Sequence, residues 1–140
     1  MSSITEISAA SFHSEVANVD EPVIVEFFSN SCPHCTKFKP IYEKLSENFK
    51  GQAKFLKLNV PLNGEAKELA PANQENTALA QNRGIRALPT LEVFYQGRVI
   101  GCVIGYQPLE KVSLTIKDIL AKKEENIGPS TPIKYKRSSP

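Results

Sequence analysis

The stretch VIVEFFSNSCPHCTKF, residues 23–38, sets the frame for the whole chain. Its first six residues are β-branched or aromatic apart from Glu26, and Pro22 stands just before them, which predicts a strand buried on both faces. A helix should follow at once. Cys32 sits where an N-cap belongs, and Pro33 suits the first helical position, where a missing N–H costs nothing. Phe38, Ile41, Leu45 and Phe49 then recur at helical spacing, with Gly51 placed to end the helix and Pro40 inside it as an expected kink. The junction therefore carries Cys32 and Cys35 one helical turn apart. Such a pair can hold a metal, staple the fold, or exchange electrons with another protein's disulfide.

The totals narrow these choices. A chain of 140 residues suits one domain with a single core, and 41% hydrophobic with 23% charged residues is ordinary for a globular protein. A net charge of +2 argues for neither nucleic acid nor a membrane surface as partner, and no apolar run is long enough to span a bilayer. The N-terminus, MSSITEISAASFHSEVANVD, lacks a basic start and an apolar h-region, so a cytosolic location is expected. Three cysteines in a reducing compartment speak for catalysis or metal binding over a structural staple.

Outward from the junction the elements alternate. Residues 8–17 should form a short helix with Phe12 and Val16 on one face, with a short strand near Ile4 to Ile7 before it. KFLKLNV (54–60) reads as a second buried strand, and NTALAQNR (76–83) as a helix closed by Gly84. LEVFY and RVIGCVIGY form a hairpin turned at Gly97, and a last helix after Pro108 carries Leu109, Val112, Ile116 and Leu120 as one stripe. The fold class is α/β: a mixed central sheet with helices on both faces, ending in a hairpin and a helix. Residues 1–121 make the domain. Residues 61–75 read as an insertion in which GEAKELA can form a turn or two of helix broken by Pro71, and 122–140 as a flexible, solvated tail.

The chemistry at the junction follows from the thiols. Only a thiolate attacks a disulfide, and the unpaired N–H groups and positive dipole end of a helix N-terminus favour the thiolate of Cys32. Cys35, shielded one turn later, is the expected resolving thiol. Zinc is the rival, but it needs about four ligands, and His13, His34 and Cys102 offer no second knuckle. Cys102, in mid-strand and alternating with Ile100 and Ile104, reads as a small packed thiol.

VIVEFFSNSCPHCTKFKPIYEKL, KFLKLNV and GIRALPTLEVFYQGRVIGCVIGY together resemble a thioredoxin, in order and over roughly residues 5–120. The resemblance rests on three separated features: the CxxC at a strand-to-helix junction, Pro89-Thr90 before the hairpin, and Gly105 at its far end. It implies the thioredoxin fold with Pro89 as its cis-proline, and a thiol–disulfide oxidoreductase that needs no cofactor beyond Cys32–Cys35. Its partners would be protein disulfides or dithiols and a reductase such as thioredoxin reductase. Glu26 would lie beneath Cys35 as the base that deprotonates it, with Lys57 as partner across the strands; a purely structural ion pair, or a Glu26 reaching solvent, is the competing reading. The substrate rim would be Ser31, Leu88, Pro89 and Gly105.

Departures from the family pattern carry weight too. Pro33-His34 stands where thioredoxins have Gly-Pro and resembles the periplasmic disulfide-introducing oxidase. A donor or positive charge from His34 beside Cys32 would stabilise the dithiol and make the disulfide more oxidising, unless His34 simply turns to water. Ser31 and Phe28 occupy positions where tryptophan is usual, which puts recognition by an ordinary reductase in question. Two other functions stay open at this point: a disulfide-introducing or isomerising enzyme of an oxidising compartment, and an interaction module with an idle redox site.

Overall fold

In a computed structural model of the chain, residues 3–17, 20–61 and 71–125 are described. The order is β1 (Thr5–Ile7), α1 (Ala9–Val16), β2 (Val23–Phe28), α2 (Pro33–Asn48), β3 (Lys54–Asn59), α3 (Pro71–Asn82), β4 (Thr90–Tyr95), β5 (Arg98–Ile104) and α4 (Leu109–Ala121). The strands form one sheet in the order β1-β3-β2-β4-β5. β1 and β2 run parallel to β3, and β4 runs antiparallel to both β2 and β5. The sheet is mixed, and β2 is its central strand. No described helix is long and apolar enough to cross a membrane.

A central strand covered on both faces buries every side chain, which is why VIVEFF lacks the usual polar alternation. Its even positions and odd positions feed two cores. Ile24 joins Phe38, Tyr42 and Leu45 of α2 and Val112, Ile116 and Ile119 of α4 on one face. Val23, Val25 and Phe27 join Phe12 and Val16 of α1 and Ala80 of α3 on the other. The helices thus fall two on each face, as the alternation of elements predicts. Tyr42 fixes the first layer to the sheet: its buried hydroxyl lies 2.6 Å from the Leu56 carbonyl and 3.1 Å from that of Ile24, so it spans β3 and β2.

α3 differs from the sequence reading. It begins at Pro71, five residues before the expected start at Asn76. Proline is at home there because the first helical N–H groups have no intrahelical acceptor. The last part of the 61–75 segment is therefore helical, while GEAKELA lies outside the described residues. Asn76 on α3 ties the layers together: its side chain accepts from the Ala9 N–H at 2.7 Å and donates to the Asn59 carbonyl at 3.0 Å. After α4 the chain turns through 122–125, where Glu124 accepts from the Tyr95 hydroxyl at 3.3 Å; the rest of the tail lies outside the described residues. α2 runs on through Pro40, whose ring is exposed.

The hairpin carries a second difference. A register shift at Val93/Phe94 leaves Ile100 as an extra residue in β5. Such a bulge breaks strict alternation. Ile100 and Val103 both reach the α2–α4 core, while Cys102 lies opposite Glu92, on the face shared with Ile104. Cys102 thus shares a face with Ile104 but not with Ile100. Beside it, Gly101 lets α4 approach the sheet. A Cβ built there would stand 2.7 Å from Ile119 Cδ1 and 2.9 Å from its Cγ1. Gly101→Ala should cost about 1–3 kcal/mol by overpacking, read as a lower midpoint in urea with an unchanged slope.

Candidate active site

β2 ends at Phe28, and the chain enters α2 through four residues, 29–32. Ser29 is fully buried; its hydroxyl accepts from the Ser31 N–H at 3.3 Å and its carbonyl from the Cys32 N–H at 3.2 Å. This holds Cys32 in the extended conformation of an N-cap, φ −86° and ψ 118°. The Cys32 carbonyl accepts from the Thr36 N–H at 3.0 Å, and its sulfur from the Cys35 N–H at 3.3 Å. The sulfur therefore takes the capping place that a serine or aspartate oxygen fills elsewhere. Pro33 leaves no orphan N–H, and His34 is exposed on the first turn.

Across from α2 stands the loop before β4. The Leu88–Pro89 bond is cis. The Cys32 thiol points at the Leu88 carbonyl, 3.7 Å away, joining residues far apart in sequence. The Gly105 N–H donates to the Pro89 carbonyl at 2.8 Å, with Gly105 at φ +83°, where only glycine is unstrained. Cys32 is 7% exposed, so little of it is open to solvent.

Beneath lies a second set of groups. Glu26 is 4% exposed, and together with Ser29, Cys35, Lys39 and Lys57 it lines a cavity of about 220 Å³. That is room for several water molecules. Burial pushes the Glu26 carboxyl up to about 7, against the opposing pull of Lys57, which faces it in register on β3. The Lys57 ammonium also sits over the Phe28 ring at 5.3 Å. Cys35 is pushed up to about 12, first by burial and then by its hydrogen bond with Cys32; a backbone bond from Ser29 opposes this. A thiol held so high needs a base to ionise at neutral pH. Lys57→Met should raise the Glu26 inflection above about 7, because burial would then act without its counter-charge; carboxyl NMR across a pH series reads it directly.

The geometry gathers ten residues singled out from the sequence around one junction: Glu26, Ser31, Cys32, Pro33, His34, Cys35, Lys57, Leu88, Pro89 and Gly105. His13 packs against Phe12 on α1, with ring centroids 5.5 Å apart. Among the described residues no group of three or more His, Cys, Asp or Glu is placed to hold a metal. Two further residues belong to the site. Ser29 organises the turn, and its only sequence signal was a small polar residue directly after a buried strand. Tyr106 is 39% exposed and meets Phe38 edge-on at 6.2 Å, so an aromatic ring borders Gly105 on a rim that lacks tryptophan. Its signal was an aromatic following the hairpin's terminal glycine.

Comparison with known proteins agrees with this arrangement. The thioredoxin family model matches residues 3–118. A thioredoxin of Synechocystis sp. is 30% identical over 120 residues, covering 86% of this chain and 100% of that protein. A thioredoxin of Chlorobaculum thiosulfatiphilum is 30% identical, covering 88% of this chain and 95% of its own length. Among solved structures, the short form of spinach chloroplast thioredoxin f superposes with a TM-score of 0.67 at 31% identity, over 84% of this chain and 93% of that one.

Proposed function

The chain belongs to the thioredoxin family and is a thiol–disulfide oxidoreductase, and from that premise we propose a two-step exchange with protein disulfides. The Cys32 thiolate attacks one sulfur of the substrate disulfide, forming a mixed disulfide and expelling the first substrate thiolate. Cys35 then attacks Cys32 Sγ, closing the Cys32–Cys35 disulfide and expelling the second thiolate. Two electrons pass to the substrate, and its two thiols take up the protons the cysteines lose. A reductase of the thioredoxin reductase type would restore the dithiol.

The observation that carries this reading is the Cys35 N–H on Cys32 Sγ at 3.3 Å, with the Leu88 carbonyl 3.7 Å from that sulfur. One sulfur caps the helix N-terminus across from the Leu88 carbonyl, and its partner waits a turn behind it. Glu26, through the cavity it shares with Cys35, accepts the Cys35 proton, and Lys57 keeps Glu26 from rising further. Ser31, Leu88, Pro89 and Gly105 form the groove in which an extended substrate segment lies, pairing with backbone as an added strand does. Residues 1–121 carry this activity, and 122–140 are an appendage to it.

His34 sets the potential. A donor next to the Cys32 thiolate stabilises the dithiol, so the couple should lie between about −270 mV and about −120 mV, less reducing than ordinary thioredoxin. Equilibration with graded glutathione buffers, read by alkylation and intact mass with Cys102→Ala as background, measures it. A value near about −270 mV would remove the tuning role of His34. Failure to form the intramolecular disulfide at any poise would remove the exchange reading altogether.

A further inference from the structure

The charges of the molecule are unevenly placed about Cys32. Lys39 and Lys57 line the cavity beside Cys35, Lys37 and His34 lie on the exposed side of the first two turns of α2, and exposed Arg86 stands two residues before Leu88. The segments that build this face, 27–42, 57–61, 84–91 and 102–109, contain no aspartate or glutamate. Of the acidic residues, buried Glu26 shares the cavity with Lys39 and Lys57, while others stand at Asp20 and Glu21 before β2, at Glu43 and Glu47 farther along α2, and at Glu124 and Glu125 after α4.

Several cations away from the site are held by anions, although Lys50, Arg98, Lys111 and Lys117 have no ion pair among the described residues. Lys54 pairs with Glu15 at 2.6 Å, Lys122 with Asp118 at 3.2 Å and Lys44 with Glu47 at 3.8 Å. Even Arg83, three residues from Arg86, is taken by Glu92 at 2.6 Å. Lys37, Lys39 and Arg86 have no such partner among the described residues. The segments that flank Cys32 and Leu88 thus carry exposed Lys37, Lys39 and Arg86 with neither an ion-pair partner among the described residues nor an acidic residue in the same segments.

We propose that this face selects substrates whose disulfide is flanked by acidic side chains, with Lys37, Lys39 and Arg86 steering them onto Cys32. This matters only for a chain that exchanges disulfides, and it rests on that reading. Steering by several like charges raises encounter rates by about 10- to 1,000-fold at low salt and fades as the screening length falls below about 10 Å.

The test uses single-turnover oxidation of the reduced full-length protein by three disulfides: a peptide flanked by glutamates, the same peptide flanked by lysines, and neutral hydroxyethyl disulfide. The acidic peptide should react about tenfold or more faster than the basic one at about 10 mM salt, with the gap closing near about 500 mM. Lys37→Glu with Arg86→Glu should abolish or invert the preference while the neutral disulfide reacts unchanged. Equal peptide rates at low salt, or a preference that survives in the double variant, would overturn the inference and leave the oxidoreductase standing. So would a duplex oligonucleotide that inhibits the reaction as strongly as a thiol-free acidic peptide, since the face would then attract any polyanion. No reaction with hydroxyethyl disulfide would remove both readings together.

Discussion

Cys32→Ser should reduce disulfide exchange to the uncatalysed rate, whereas Cys35→Ser should stop the protein after one attack. The difference follows from where the two sulfurs lie. Cys32 caps α2 and faces the Leu88 carbonyl across the groove, so it alone meets substrate. Cys35 is buried and held up to about 12, one turn behind Cys32. Without Cys35 the mixed disulfide has no intramolecular exit and should accumulate as a one-to-one adduct, visible by intact mass and released by dithiothreitol. Cys102→Ala should leave both results unchanged, since Cys102 lies on the far side of the hairpin opposite Glu92. An adduct formed equally well by Cys32→Ser would assign the nucleophile wrongly.

Glu26→Gln should change rate and stability in opposite directions. With its base removed, the Cys35 thiol must ionise unaided, and resolution of the mixed disulfide should slow by about 100-fold or more near pH 7. The pH–rate inflection near 7 should disappear with it. Stability moves the other way. The carboxyl rises from 4.5 in the unfolded chain to about 7 in the folded one, so the folded state binds its proton more tightly. That contribution is fully present below pH 4.5 and is lost as pH rises through about 7, a decline of about 3 kcal/mol for the native chain. Glutamine has the same shape and no charge to bury, so the variant should be the more stable protein at pH 8 by up to that amount, with a flatter profile across the window. Urea midpoints at pH 4.5, 6 and 8 decide it. A variant no more stable at pH 8 than at pH 4.5, relative to the native chain, would mean that Glu26 is solvated or fully paired.

The Glu26 prediction rests on Glu26 and Cys35 sharing one cavity, and that sharing was only partly legible beforehand. A lone acid in VIVEFF marks itself as unusual, because a carboxylate in a buried strand costs free energy unless something uses it. The register that sets Lys57 opposite Glu26 follows from two apolar strands pairing in parallel. Neither the cavity nor its volume is contained in those strings; they depend on how α2 lies over β2.

The same division runs through the chain. Local rules determined the strand-to-helix junction, the capping place of Cys32, the first-turn proline, the hairpin at Gly97 and the stripe of α4, because period, β-branching and capping act over a few residues. They failed where the decisive neighbour was remote. α3 starts at Pro71 and not at Asn76, and the docking of Asn76 against Ala9 and Asn59 anchors that helix to the sheet. Ile100 and Cys102 lie on different faces because a bulge in a paired strand, invisible in a single string, resets the alternation. The sequence by itself determined that two cysteines stand at the start of a helix after a buried strand. Tertiary structure alone decided that the Leu88 carbonyl faces the first and that a raised carboxyl shares a cavity with the second. Distances between residues remote in the chain are set by sheet order and layer packing, not by local preference.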